Sequence, residues 1–182
     1  MKKLLTLAVV ALFAMSASAE KGGMYLGLTG IGSPVGTGVM IYDNKTDFGA
    51  APEFGYFISD QLALGIVAGF YGSSIKDNEG DNPFTFRVNP YARYFLIQDG
   101  NFGLFLQGNV AFESTNAPAK VSVFGVSINP GVSYNLSDKF TATAAFGWLG
   151  FESTSPDGGD STSEFGLRVN GSTLKVGLAF NF

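Results

Sequence analysis

No cysteine and no histidine occur anywhere in the sequence. The first absence excludes disulfides, thiolate metal sites and a lipid-modified N-terminal cysteine. The second removes the side chain whose ordinary pKa lies nearest neutrality, and with it the commonest general base. Charge is also scarce: 14% of the residues are Asp, Glu, Lys or Arg, against roughly 25% in soluble domains. Beyond residue 19 there is no apolar run long enough to cross a bilayer as a helix, so a helical membrane protein is excluded. What the chain has in quantity is glycine, 25 residues, and phenylalanine, 18 residues.

The 182 residues suit one domain after a targeting segment. Lys2 and Lys3 open residues 1–19, an apolar stretch follows, and Ala17-Ser18-Ala19 supplies small residues for cleavage between Ala19 and Glu20. This is the pattern of a cleavable signal peptide, leaving residues 20–182 as the domain. Eleven basic residues less Lys2 and Lys3 leave nine against 15 acidic ones, a balance of −6. An acidic exported chain is not expected to bind nucleic acid.

From residue 22 onward the apolar pattern has a period of two. In residues 62–71 the even positions are Leu62, Leu64, Ile66, Ala68 and Phe70, alternating with Ala63, Gly65, Val67, Gly69 and Tyr71. The same parity runs through residues 48–58, 84–96, 102–112, 124–136, 140–151 and 174–182, and more weakly through 24–30. These are eight candidate strands. In a soluble sandwich or small-ligand barrel the apolar face would be the core and the other face would meet water. Here the odd face is crowded with Gly, Ala, Ser and Asn rather than Lys and Glu. The even face carries Phe, Tyr and Trp148 near strand ends, as two aromatic girdles at membrane boundaries require. The expected fold is all-β: an eight-stranded antiparallel up-and-down transmembrane β-barrel, bulky side chains outward and small ones filling a narrow bore.

Connections support that topology. Short turns are expected at Ser59-Asp60-Gln61, Asp99-Gly100-Asn101 and Ser137-Asp138-Lys139, each three residues long because the flanking strands share parity. Longer polar stretches fall at 33–47, 73–83, 114–120 and 152–173. Residues 39–42 extend the first strand above the membrane, and 165–169 form an outer extension with reversed parity. Short turns on one side and long loops on the other are the outer-membrane arrangement.

A repeat reinforces the hairpins: Pro52-Glu53-Phe54-Gly55-Tyr56-Phe57, Pro90-Tyr91-Ala92-Arg93-Tyr94-Phe95 and Pro130-Gly131-Val132-Ser133-Tyr134-Asn135, at spacings of 38 and 40. The chain ends on alternating residues that include Lys175, Gly177, Phe180 and Phe182. That ending is similar to the C-terminal assembly signal of bacterial outer-membrane barrels. With these motifs residues 22–182 resemble the OmpA/OmpX-type outer-membrane β-barrel domain proteins, small porin-like barrels in the form common among Bacteroidota. The peptidoglycan-binding domain that follows the barrel in full-length OmpA relatives is not expected here. The resemblance implies a monomer in the outer membrane of a Gram-negative bacterium. Its partners would be outer-membrane lipid and lipopolysaccharide, the barrel-assembly machinery during insertion, and an extracellular ligand on the long loops. The implied role is membrane integrity or surface interaction, with an OmpW-like conduit for ions or small apolar molecules as the alternative.

Glu53, Arg87, Arg93, Glu113 and Lys175 all fall on the inward face. The parity sums place Arg87 opposite Glu113 and Arg93 opposite Gln107, while Gly131 leaves room for a long side chain. Charges in so narrow a lumen are expected to pair. Such pairs serve either as a plug or as a gate that breaks and re-forms, and the tight bore favours the plug. Outer-membrane barrel enzymes that act on lipids or proteins use a histidine, so no catalytic site is expected, and an outer-membrane lipid-modifying enzyme is the third and least favoured alternative. No cofactor is expected either. Asp77, Glu79 and Asp81, and separately Asp157 and Asp160, lack the spacing of a calcium loop, so no metal site is assigned.

Overall fold

The computed structural model describes residues 21–32, 36–76, 82–116 and 120–182. The signal peptide with its cleavage point at Ala19 and Glu20, and the acidic group Asp77, Glu79 and Asp81, lie outside them. Twelve strands form one sheet. They are β1 (Met24–Thr29), β2 (Gly38–Ile41), β3 (Lys45–Ala50), β4 (Pro52–Ser59), β5 (Leu62–Ile75) and β6 (Phe84–Asp99). β7 (Phe102–Thr115), β8 (Val121–Ser137), β9 (Phe140–Ala145), β10 (Trp148–Pro156), β11 (Thr162–Arg168) and β12 (Lys175–Asn181) complete it. β1 pairs antiparallel with both β4 and β12, and β12 pairs onward with β9, so the ladder closes. The result is an eight-stave antiparallel barrel. β3 and β4 share the second stave, β9 and β10 the seventh, and β11 and β12 the eighth, while β2 prolongs the first by pairing with β3. Closure leaves no unpaired edge at the membrane level of the β1–β12 seam, which a bilayer requires of any spanning sheet.

Parity works as expected over most of the wall. Leu64, Ile66, Phe70, Phe86, Tyr94, Leu106, Phe112, Ile128 and Tyr134 are exposed outward. Ala63, Val67, Gly103 and Ala179 are buried inward. The odd face is less uniformly small than its composition suggests. Tyr25, Phe57, Phe95 and Phe105 stack in succession at centroid separations of 5.7, 5.8 and 5.7 Å, forming an aromatic column inside the barrel. Glycine makes room for it: a Cβ on Gly131 would lie 2.3 Å from the Phe105 ring. The hole opposite Gly131 is thus filled by a phenylalanine on the adjacent strand.

Four sequence expectations change. The short turns have two residues, not three: Ser59 pairs with Leu62, Asp99 with Phe102 and Ser137 with Phe140, each beside a one-residue register shift. A bulge plus a two-residue turn satisfies the parity constraint as well as a three-residue turn does. The long connections hold more strand than expected: besides the extensions read at 39–42 and 165–169, the start of β3 and residues 162–164 are strand as well. The seventh stave is broken at Phe146 and Gly147. Gly147 has φ +72°, a conformation that favours glycine, and β8 gains one unit of register across it, from Gly131 opposite Ala145 to Ile128 opposite Leu149. Parity therefore inverts in β10: Leu149 and Phe151 face outward and Trp148 faces the bore. β11 inherits the inverted register by pairing Arg168 with Trp148 and Phe165 with Phe151, which accounts for its reversed pattern. Finally, Phe182 is buried rather than lipid-facing. It lies just past the end of β12, stacked 6.3 Å from Phe180, with its backbone hydrogen-bonded both ways to Met24.

Candidate functional site: the lumen

Inward groups from four staves, those of β1, β4, β6 and β7, meet at mid-barrel. Arg93 on β6 reaches Glu53 on β4, its Nη2 donating to Glu53 Oε1 at 2.7 Å. The same guanidinium donates from Nε and Nη2 to Gln107 Oε1 on β7, at 2.9 and 2.8 Å. The Tyr91 hydroxyl donates to Glu53 Oε1 at 2.5 Å and shares a 2.6 Å hydrogen bond with the Tyr25 hydroxyl. The Arg93 guanidinium also lies over aromatic rings, 4.7 Å from Phe105 and 5.1 Å from Tyr91. Glu53 and Arg93 are only 4% and 6% exposed. Two charges so deeply withdrawn from water persist because each is hydrogen-bonded as well as paired.

An amide ladder continues from this cluster. Gln107 Nε2 donates to Asn109 Oδ1 at 2.8 Å, Asn89 Nδ2 donates to the same oxygen at 3.1 Å, and Asn109 Nδ2 donates to Asn129 Oδ1 at 2.8 Å. Asn129 Nδ2 in turn donates to the Gly147 carbonyl. The break in the seventh stave is thus tied to the lumen network. Gly147 N–H donates to Thr173 Oγ1 at 3.1 Å, in the 3₁₀ turn Gly171–Thr173 that separates β11 from β12.

The cluster divides the bore. Towards the short turns lies a cavity of about 150 Å³ lined by Tyr25, Phe57, Arg93, Phe95, Ser133 and Asn135, among others. On the far side lies a space of about 70 Å³ between Val67, Tyr71, Gln107 and Asn109, and then a wider vestibule of about 350 Å³. Trp148, Arg168, Arg87, Glu113 and Lys175 line the vestibule. Arg87 Nη2 lies 2.7 Å from Glu113 Oε1, and the Arg168 guanidinium lies 4.2 Å over the Trp148 ring and is paired with Glu164.

This architecture has relatives. The sequence profile of the outer membrane protein beta-barrel domain family matches residues 4–182. The chain belongs to that family. Two solved structures are similar at the level of chain trace, each at 14% identity. One is the N-terminal β-barrel domain of Pseudomonas aeruginosa OprF, over 89% of this chain and 98% of that one, with a TM-score of 0.49. The other is Neisserial surface protein A, over 92% and 100%, with a TM-score of 0.45. No curated protein matches the sequence.

Within this outer-membrane barrel the sequence-assigned residues fall into two groups. Glu53, Arg93 and Gln107 come together in the mid-barrel cluster, and Arg87 and Glu113 form a separate pair nearer the mouth. Lys175 departs from the expectation that inward charges pair: among the described residues it has no hydrogen bond or ion pair. It heads β12 at the wide end of the bore, where a charge is not forced into a partner's reach. At the C-terminus, Gly177 is buried, and Phe180 packs edge-on against Phe140 at 5.4 Å. Sequence reasoning missed Tyr25, Tyr91 and the asparagines. Their signal was present, since a tyrosine at an odd position places an amphipathic ring in the bore, where its hydroxyl must find a partner.

Proposed function

We propose that this outer-membrane barrel has a closed lumen and serves membrane integrity or surface interaction through the loops opposite its short turns. The observation that carries this reading is the buried Glu53–Arg93–Gln107–Tyr91 cluster, which spans the bore between two separate cavities. A fully satisfied buried network is costly to open, because removing any member strands a charge. The protein inserts through the barrel-assembly machinery, sits among lipopolysaccharide and phospholipid as a monomer, and presents its long loops outside the cell. It carries out no catalysis on this reading, in keeping with a chain that has no histidine. Planar-bilayer recording tests it: purified protein is expected to give no steady single-channel openings.

A small conduit is the second reading, favoured by the cavities that approach the cluster from both sides. Steady openings in the wild type whose conductance or gating changes in the folded Glu53→Ala, Arg93→Ala double variant would establish it. Fractionation with a heat-modifiability gel tests the location, and recovery from the soluble periplasm would overturn both readings.

A further inference from the structure

Every charge in the mid-barrel cluster has a partner, whereas the vestibule beyond it leaves one cation, Lys175, without one among the described residues. Three cations, Arg87, Arg168 and Lys175, line this cavity, with Glu113 the one carboxylate among the described lining residues. Glu113 is engaged by Arg87, and Arg168 lies against Glu164 and, at 3.7 Å, Glu152. Lys175 is left over, within electrostatic range of both Arg87 and Glu113 yet bonded to neither. Arg87 adds a different irregularity: its Nε is buried and has no hydrogen-bond partner, while Lys175 is exposed to the cavity. Buried donors without partners are rare and call for a reason. An ammonium and a guanidinium lining one cavity repel each other, and a ligand carrying negative charge relieves that repulsion.

We propose that the vestibule is a binding site for a small oxyanion, a phosphate or carboxylate group, held by Lys175 and Arg87 beside Trp148. The site lies outside the mid-barrel cluster, so it stands whether or not the lumen conducts. Phosphate chemistry reaches it from two sources: a free anion entering from outside the cell, or the headgroup of an outer-leaflet lipid.

Trp148 is the single tryptophan of the chain and lines the cavity, so its fluorescence reports the site directly. The experiment uses the full mature barrel in phosphatidylcholine nanodiscs and measures quenching of Trp148 by iodide. Inorganic phosphate replaces chloride at constant ionic strength. Phosphate is expected to protect Trp148 along a saturating curve. Lys175→Gln is expected to raise the half-saturating concentration at least tenfold, while Lys139→Gln, in a short turn at the opposite end, leaves it unchanged. In nanodiscs containing phosphatidylglycerol, protection already present before phosphate is added, and lost in Lys175→Gln, identifies the lipid headgroup as the source. A gel-shift check reports folding of each variant. Should Lys175→Gln fail to fold, the wild-type curve decides alone, since general screening gives no plateau at fixed ionic strength. Absent or unsaturable protection in both nanodisc types overturns the proposal, as does an unchanged half-saturation in folded Lys175→Gln.

Discussion

At the scale of single residues, the cost of a change depends on whether it strands a charge or crowds a ring. Glu53→Ala leaves Arg93 buried without its anion, and loss of one partner of a buried pair typically costs about 3–5 kcal/mol. The double variant Glu53→Ala, Arg93→Ala removes both charges and is expected to recover part of that loss. Urea unfolding in lipid vesicles measures it, and a double variant no more stable than Glu53→Ala would contradict the pairing. Gly131→Ala is expected to cost about 1–3 kcal/mol by overpacking, because its Cβ would meet the Phe105 ring. Gly108, with open space where a Cβ would stand, is the matched control. The need for a small residue at Gly131 was legible from parity. The ring that fills its hole was not, because Phe105 is the direct register partner of Gly131 on β7, and the β7–β8 pairing is joined by a long connection whose length does not fix register.

At the scale of elements, the break at Phe146–Gly147 decides what the mouth of the barrel contains. A continuous strand would have put Trp148 in lipid; the bulge turns it into the bore. Brominated acyl chains quench only fluorophores that touch hydrocarbon, so wild-type Trp148 should be little affected. Tryptophan moved two positions, in Phe146→Trp with Trp148→Phe, should be strongly quenched. Equal quenching in the two proteins would restore the unbroken strand. The sequence reading caught the reversed parity of residues 165–169 without its cause, which lies one hairpin earlier at Gly147. Above the apolar belt, Lys45 on β3 is 2.8 Å from Asp47, and the Ser73 hydroxyl of β5 donates to Asp47 at 2.5 Å. The Lys45 hydrogen bond, seconded by Ser73, holds the Asp47 carboxyl below its ordinary pKa. A lowered folded pKa gives stability that is complete above the unfolded carboxyl value, about 3.9, and that fades as pH falls through the folded value. Protection factors of the β2 and β3 amides, corrected for the intrinsic pH dependence of exchange, should therefore fall on acidification below about pH 4, with the effect gone in Asp47→Asn.

At the scale of the whole molecule, the deciding question is what solvent surrounds the wall. Leu106 and Ile41 are both exposed, at 40% and 80%, and a water-soluble barrel would tolerate charge at either. A bilayer separates them by depth. Leu106 lies midway along the outward series from Phe102 to Phe112, between the two aromatic ends, whereas Ile41 ends β2 in the hairpin that rises beyond Phe48. Arginine on the lipid face costs about 2–4 kcal/mol at the midplane and about 0–1 near the interfaces. Leu106→Arg is thus expected to lower the unfolding free energy in vesicles by the larger amount and Ile41→Arg by the smaller, although Ile41 is the more exposed. The same ordering should disappear in short-chain detergent, which adapts to a charged patch as a bilayer cannot. Two variants of equal cost in vesicles would mean that the bulky even-numbered face does not meet acyl chains. The outward direction of that face would then need another explanation, and the odd-numbered residues would lose their claim to the interior.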